Sequence, residues 1–235
     1  MIRNLFILIF IYFIQISPSV SSVTINKTRV IFNEGDKVAT ITLNSNNERD
    51  SLIQLWVDNG ELEAKPSTID VPFILNPQIK ELMPNQAQVV KIRHIGNNKP
   101  QQNEELYWLN LLEVPKKVES EKNYIQLAYR TRIKLFYRPS NINEKSQSES
   151  SESLIFSLVN DTLEIKNISP FYITIINVKE KDRDDYRLIE NSNFMISPKS
   201  SKYLTIDSRS YSKEFKYTYI NDWGGKKEVI KTLGN

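Results

Sequence analysis

The chain has 235 residues, 40% hydrophobic and 25% charged, with six glycines, one histidine and no cysteine. This is globular material, long enough for one large domain or two ordinary ones, each with a real core. A formal charge of +3 is too slight for a dedicated nucleic-acid binder, and the missing cysteines exclude disulfides, a thiol nucleophile and a cysteine-based metal site.

Residues 1–22 read as an export leader. Arg3 gives a small positive region, residues 5–14 (LFILIFIYFI) an uninterrupted apolar run, and residues 17–22 (SPSVSS) small residues with Val20 and Ser22 at the −3 and −1 positions. The expected cut lies before Val23. The apolar run is shorter than the roughly 20 residues that a spanning helix needs, so the mature chain is expected to be exported with no insertion into the membrane.

From Val23 the pattern is strand after strand. Residues 28–32 (TRVIF), 38–43 (VATITL), 51–57 (SLIQLWV), 73–75, 88–92 (QVVKI) and 105–112 (ELYWLNLL) are short β-runs separated by turn residues. Trp56 and Trp108 fall within them and read as core aromatics. Residues 124–139 (YIQLAYRTRIKLFYRP) then alternate at a period of two, with Ile125, Leu127, Tyr129, Thr131, Ile133, Leu135 and Tyr137 on one face and Gln126, Arg130, Arg132, Lys134 and Arg138 on the other. That is a long strand with one greasy and one basic face. A long apolar edge is an aggregation hazard unless it serves to lend a strand to another protein.

Residues 141–153 are polar and serine-rich and read as a linker or mobile loop. A second series of β-runs follows at 154–159, 162–165, 172–178, 193–196, 201–206 and 214–220. Residues 221–225 (NDWGG) form a turn and 227–232 a closing strand. The expectation is an all-β protein of two domains, residues 23–140 and 154–235.

No catalytic constellation emerges. His94 is alone, which suits a packing residue better than a base or ligand. The acidic residues Asp182, Asp184 and Asp185 are mixed with basic ones, as in a solvated hairpin loop. There is no phosphate loop or nucleophile elbow, and too few nitrogen or sulfur ligands for zinc. The sequence therefore points to no enzyme, cofactor or metal.

Several segments, in order and at matching separations, resemble the periplasmic pilus (fimbrial) assembly chaperones of Gram-negative bacteria. They are TRVIF at 28–32, QLWV at 54–57, LYWLN at 106–110, IKLFYRP at 133–139, NISPFY at 167–172 and INDWGG at 220–225. The resemblance implies two immunoglobulin-like β-sandwich domains in a boomerang arrangement. It implies capture of pilin subunits by donor-strand complementation and their delivery to an outer-membrane usher. By the same resemblance Arg29 and Lys134 grip the pilin's C-terminal carboxylate, Ile125, Leu127 and Tyr129 fill its groove, and Glu104, Arg138 and Asp222 form an interdomain ion-pair cluster.

There are departures. The paired prolines usual after the fourth strand are here Pro77-Gln78, which argues against a cis proline. Tyr129 replaces an aliphatic residue, which suits a wider client pocket. The short connection over residues 115–123 resembles the short-loop subclass. Lys134 has the opposite parity to the three groove residues, so either a bulge or twist intervenes or the cleft reaches around the strand's end. An exposed edge also makes a self-capping homodimer physically sensible. The alternative function is an exported β-sandwich adhesin or carbohydrate-binding module; strand-borne aliphatics with two cations favour a protein ligand over a sugar.

Overall fold

A computed structural model describes residues 22–235 except 97–100, 118–124, 141, 143–145, 160–161, 207–212 and 234–235. Apart from Ser22, the expected leader lies outside the described residues.

The N-terminal unit contains β1 (Val23–Ile25), β2 (Arg29–Asn33), β3 (Ala39–Ser45), β4 (Ser51–Asp58), β5 (Phe73–Asn76), β6 (Ile79–Leu82), β7 (Ala87–His94), β8 (Glu105–Pro115) and β9 (Tyr129–Arg138). They form two sheets, in the orders β1-β3-β7-β5 and β2-β9-β8-β4-β6. Alternation places the core: in β4, Ser51, Ile53, Leu55 and Val57 are buried while Leu52, Gln54 and Trp56 turn outward. Val30, Phe32, Ile41, Leu43, Ile53, Leu55, Leu109, Leu111 and Leu135 interdigitate between the sheets. Each buried aliphatic side chain contributes roughly 1.5–3 kcal/mol. His94 stacks on Tyr137 at 4.5 Å and lies edge-on to Phe73, a packing role as expected.

The C-terminal unit contains β10 (Ile155–Val159), β11 (Thr162–Asn167), β12 (Ile173–Asp182), β13 (Asp185–Leu188), β14 (Phe194–Ile196), β15 (Ser200–Thr205), β16 (Glu214–Ile220) and β17 (Lys226–Thr232). One sheet runs β10-β11-β15 and the other β13-β12-β16-β17, with β14 also on β12. Its core gathers Leu163, Ile165, Ile173, Ile175, Val178, Phe215, Tyr217 and Tyr219. Two packed sheets per unit, antiparallel but for the β2–β9 pairing at one edge, make the immunoglobulin-like sandwich expected from the sequence.

Four sequence expectations need correction. The serine-rich segment carries a helix, α1 (Gln147–Glu152), closed by a capping box between Ser146 and Glu149. Gln147, Ser150 and Ser151 are buried, and the Tyr217 hydroxyl donates to the Ser151 carbonyl at 2.6 Å. Small serines let the helix lie close against β16. The Asn76–Pro77 peptide is cis; a single proline suffices, because the tertiary amide itself removes most of the trans preference. Strands β6 and β13 were missed because both are largely exposed edges without alternation. Finally, β9 begins at Tyr129, not at residue 124. The β8–β9 ladder ends at the pair Glu113–Tyr129, so residues 125–128 have no strand partner among the described residues.

Candidate functional site

Strand β2 pairs in parallel with the second half of β9, and Arg29 stands opposite Lys134. The short gap between β1 and β2 lets the chain cross from one sheet to the other, so β2 enters beside β9 with Arg29 as its first residue. Every other strand pairing among the described residues is antiparallel.

Both cations are drawn out of water. Arg29 is 7% exposed. Its Nη1 reaches the Ile220 carbonyl at 3.4 Å, and its Nε is buried with no hydrogen-bond partner among the described residues. Burial lowers its pKa, while Asp222 and Glu104 act in the opposite direction. Lys134 donates to Thr174 Oγ1 at 3.0 Å and lies 5.9 Å from the centre of the Trp108 ring. Burial, and secondarily Arg29, brings its pKa down to about 8. Two adjacent, partly desolvated cations with donors to spare have the chemistry to accept an anion. They suit no metal, and the described residues hold no group of three or more metal-ligating side chains.

Arg138 bridges Glu104 and Asp222. Arg138 donates to Glu104 Oε1 at 2.8 and 3.1 Å and to Asp222 at 3.0 and 3.1 Å. Glu104 Oε2 accepts the Tyr172 backbone N–H at 2.9 Å. The cluster thus ties β9 to two segments of the C-terminal unit. Burial pushes the Glu104 carboxyl up, against the pull of Arg138. The turn at 221–225 is held by Asn221 Oδ1, which accepts from the backbone of Trp223 and Gly225. Gly224, at φ +82°, sits on Thr28; a Cβ there would come 2.4 Å from the Thr28 hydroxyl.

The parity question has a direct answer. The β8–β9 register runs unbroken from Glu105–Tyr137 to Glu113–Tyr129, so no bulge intervenes. Ile133, Leu135 and Tyr137 face the core, and Lys134 lies on the opposite face, beside Thr174 of the C-terminal unit. Toward the start of β9 the odd-numbered side chains run off the end of the core: Ile125 is 86%, Leu127 56% and Tyr129 39% exposed. Gln126 donates to the Pro115 carbonyl at 2.5 Å and tethers the overhang. Residues 129–133 pair with β8 alone, because β2 starts opposite Lys134.

Sequence reasoning misplaced the tryptophans. Trp56 and Trp108 lie on the outer face of the sheet, beneath a ladder of cations. Arg130 stacks on Trp56 at 5.0 Å and Arg132 on Trp108 at 4.3 Å. The fully buried Asp58 accepts from Arg132, from Asn110 at 2.7 Å and from the Gly60 N–H at 2.7 Å. Trp56 shares the parity of polar Gln54 in β4, a signal that pointed outward.

The family described as "Pili and flagellar-assembly chaperone, PapD N-terminal domain" matches residues 22–143, and "Pili assembly chaperone PapD, C-terminal domain" matches residues 149–231. The chaperone protein MrkB of Klebsiella pneumoniae is 31% identical over 96% of this chain and 97% of its own length. The chaperone protein PapD of Escherichia coli is 31% identical over 96% and 92%. Among solved structures, the CupB2 chaperone of Pseudomonas aeruginosa superposes with a TM-score of 0.77 at 27% identity, covering 90% of this chain and all of that one. Both matched families describe assembly chaperones and not enzymes. With two sandwiches matched in order across nearly all of its described length, the chain belongs to the pilus-assembly chaperone family and chaperones pilus subunits.

Proposed function

We propose that this protein captures pilin subunits in the periplasm by lending them a strand, and passes them to an outer-membrane usher. The observation that carries this reading is the open edge of β9 at residues 129–133, which runs straight onto the Arg29–Lys134 pair. A client strand laid along that edge takes the place that β2 occupies further on. If it runs parallel to β9, as β2 does, its C-terminus arrives at the two cations. A free carboxylate there satisfies the spare donors, and charge-assisted bonds are about twice as strong as neutral ones. Pinning the chain end also fixes the register, without which every inserted side chain turns to the wrong face.

Ile125, Leu127 and Tyr129 then enter the client's groove as successive anchors, Tyr129 into the widest pocket. Without a client, the same edge is shielded by pairing with a second copy. Glu104, Arg138 and Asp222 fix the angle between the domains. The domains divide within residues 141–153, where α1 packs against the second. The short connection between β8 and β9 supports the short-loop subclass.

The test is hydrogen exchange on the protein with and without a bound pilin subunit. Amides at 125–133 become protected on capture, and a subunit with a blocked C-terminal carboxylate gives at least about tenfold weaker protection. Capture that leaves 125–133 exchanging freely overturns the reading.

A further inference from the structure

Glu113 stands in the core-facing series of β8 after Leu109 and Leu111, and it is 3% exposed. Carboxylates are almost never buried without a counter-charge, because an unpaired buried charge is strongly unfavourable. Yet the donors on Glu113 are all neutral. Oε1 accepts from Asn47 Nδ2 at 2.5 Å and Ser51 Oγ at 3.1 Å; Oε2 accepts from Ser22 Oγ at 2.8 Å and the Val23 backbone nitrogen at 2.9 Å. No lysine or arginine among the described residues forms an ion pair with it.

The Val23 nitrogen is the atom that cleavage of the expected leader would convert from a neutral amide into an ammonium. We infer that Glu113 is a built receptor for the chain's own processed amino terminus, supplying the buried counter-charge to the amino group that leader removal creates. The inference rests on the export reading of residues 1–22 and is independent of client capture.

Two further features fit it. The Val23 side chain is already seated in the core, which anchors the new first residue. Ser45, directly across the β1–β3 ladder from Val23, carries a buried hydroxyl with no hydrogen-bond partner among the described residues. A peptide nitrogen has one proton to give, and an ammonium has three. A cut one residue earlier preserves the chemistry, because the Ser22 amino group then lies beside its own hydroxyl, which already touches Glu113.

The site has a consequence for the lending edge. Glu113 pairs with Tyr129, the first residue of β9. A docked terminus therefore braces the point from which residues 125–128 project, and only the exported, processed chain has that brace as an ion pair.

The test begins with the intact mass of the protein recovered from the periplasm. The expected first residue is Val23 or Ser22; a first residue elsewhere, or an uncut chain, overturns the inference. Next, the rate at which the α-amine of the folded protein is acylated is followed against pH. It should titrate at least one pH unit above the ordinary value of about 8 and react at least about tenfold more slowly than in Glu113→Gln; an ordinary value unchanged by the substitution overturns the proposal. Because Glu113→Gln could fail to fold, a chain extended by Gly-Ser-Gly before Val23 provides a second arm. It keeps Glu113 but moves the charge away, so its Tm should fall by several degrees, and an equal Tm is the contrary result.

Discussion

Arg29 and Lys134 face each other across the parallel pairing of β2 with β9. Like charges directly opposite on a sheet are destabilising, and burial adds to the effect by holding the Lys134 pKa at about 8. The free protein therefore carries an electrostatic strain at this pair, which an anion bound there would relieve.

Replacing Lys134 with methionine should accordingly make the free protein more stable, by about 1 kcal/mol after allowing for its partial exposure, while client capture falls by at least about tenfold. Arg29→Ala should weaken capture to a similar extent but lower stability, because its buried guanidinium bonds the Ile220 carbonyl and lies over the Phe136 ring. Paired measurements of Tm and subunit retention separate the two effects. A Lys134→Met variant that is both destabilised and capture-competent contradicts the anchor role.

The same lysine gives a pH signature. Its folded pKa of about 8 lies below the ordinary lysine value of 10.5, so the unfolded chain binds more protons between pH 8 and 10.5, and stability attributable to Lys134 rises with pH across that window. Capture moves oppositely: bound carboxylate holds the proton on, so affinity is flat below pH 8 and falls by up to about tenfold per pH unit above it. Subtracting the profile of Lys134→Met from that of the native protein isolates this group. Identical profiles would show that Lys134 does not titrate in the site.

Much of this was legible in the residues. Period-two alternation located most of the strands and both cores, and the lone His94 behaved as packing. What escaped was information held between segments. Nothing in TRVIF or IKLFYRP alone says that the two pair in parallel with Arg29 opposite Lys134. The tryptophans were misread because an aromatic in a strand suggests core, whereas cations from β9 cover Trp56 and Trp108 from outside. Length was overestimated for β9 because alternation continues through residues 125–128 although their ladder partner has ended. The helix at 147–152 was readable from the Ser146–Glu149 spacing, but its lack of apolar residues hid it.

Asp58 makes a prediction about the outer ladder. It is the buried acceptor that holds Arg132 over Trp108, and Arg132 lies in the half of β9 that β2 leaves open. Asp58→Asn should cost about 2 kcal/mol, below the 3–5 of a fully buried pair because the arginine is partly solvated. It should also speed amide exchange at 129–133 beyond the global change. Exchange that rises uniformly over the domain would reduce the ladder to general stability.

Leu127 tests the anchors apart from the cations. At 56% exposure in the free protein, Leu127→Glu should leave stability within about 0.5 kcal/mol. Losing the burial of one aliphatic chain, worth roughly 1.5–3 kcal/mol, should weaken capture by about 10- to 100-fold. Unchanged affinity would mean this side chain does not enter the client.

The interdomain cluster separates geometry from anchoring. Glu104 accepts from both Arg138 and the Tyr172 N–H, so Glu104→Gln removes the charge while keeping an acceptor. The pair sits at a junction, with Asp222 as a second partner for Arg138, so the arginine stays compensated and folding should survive. The freed degree of motion is rotation of one sandwich against the other. X-ray scattering should show a broadened distribution of interdomain distances, and capture should fall less than in Arg29→Ala, because the cations keep their own register. A scattering profile superimposable on that of the native protein would assign the cluster to stability and leave the angle to packing of Phe136 against Tyr172.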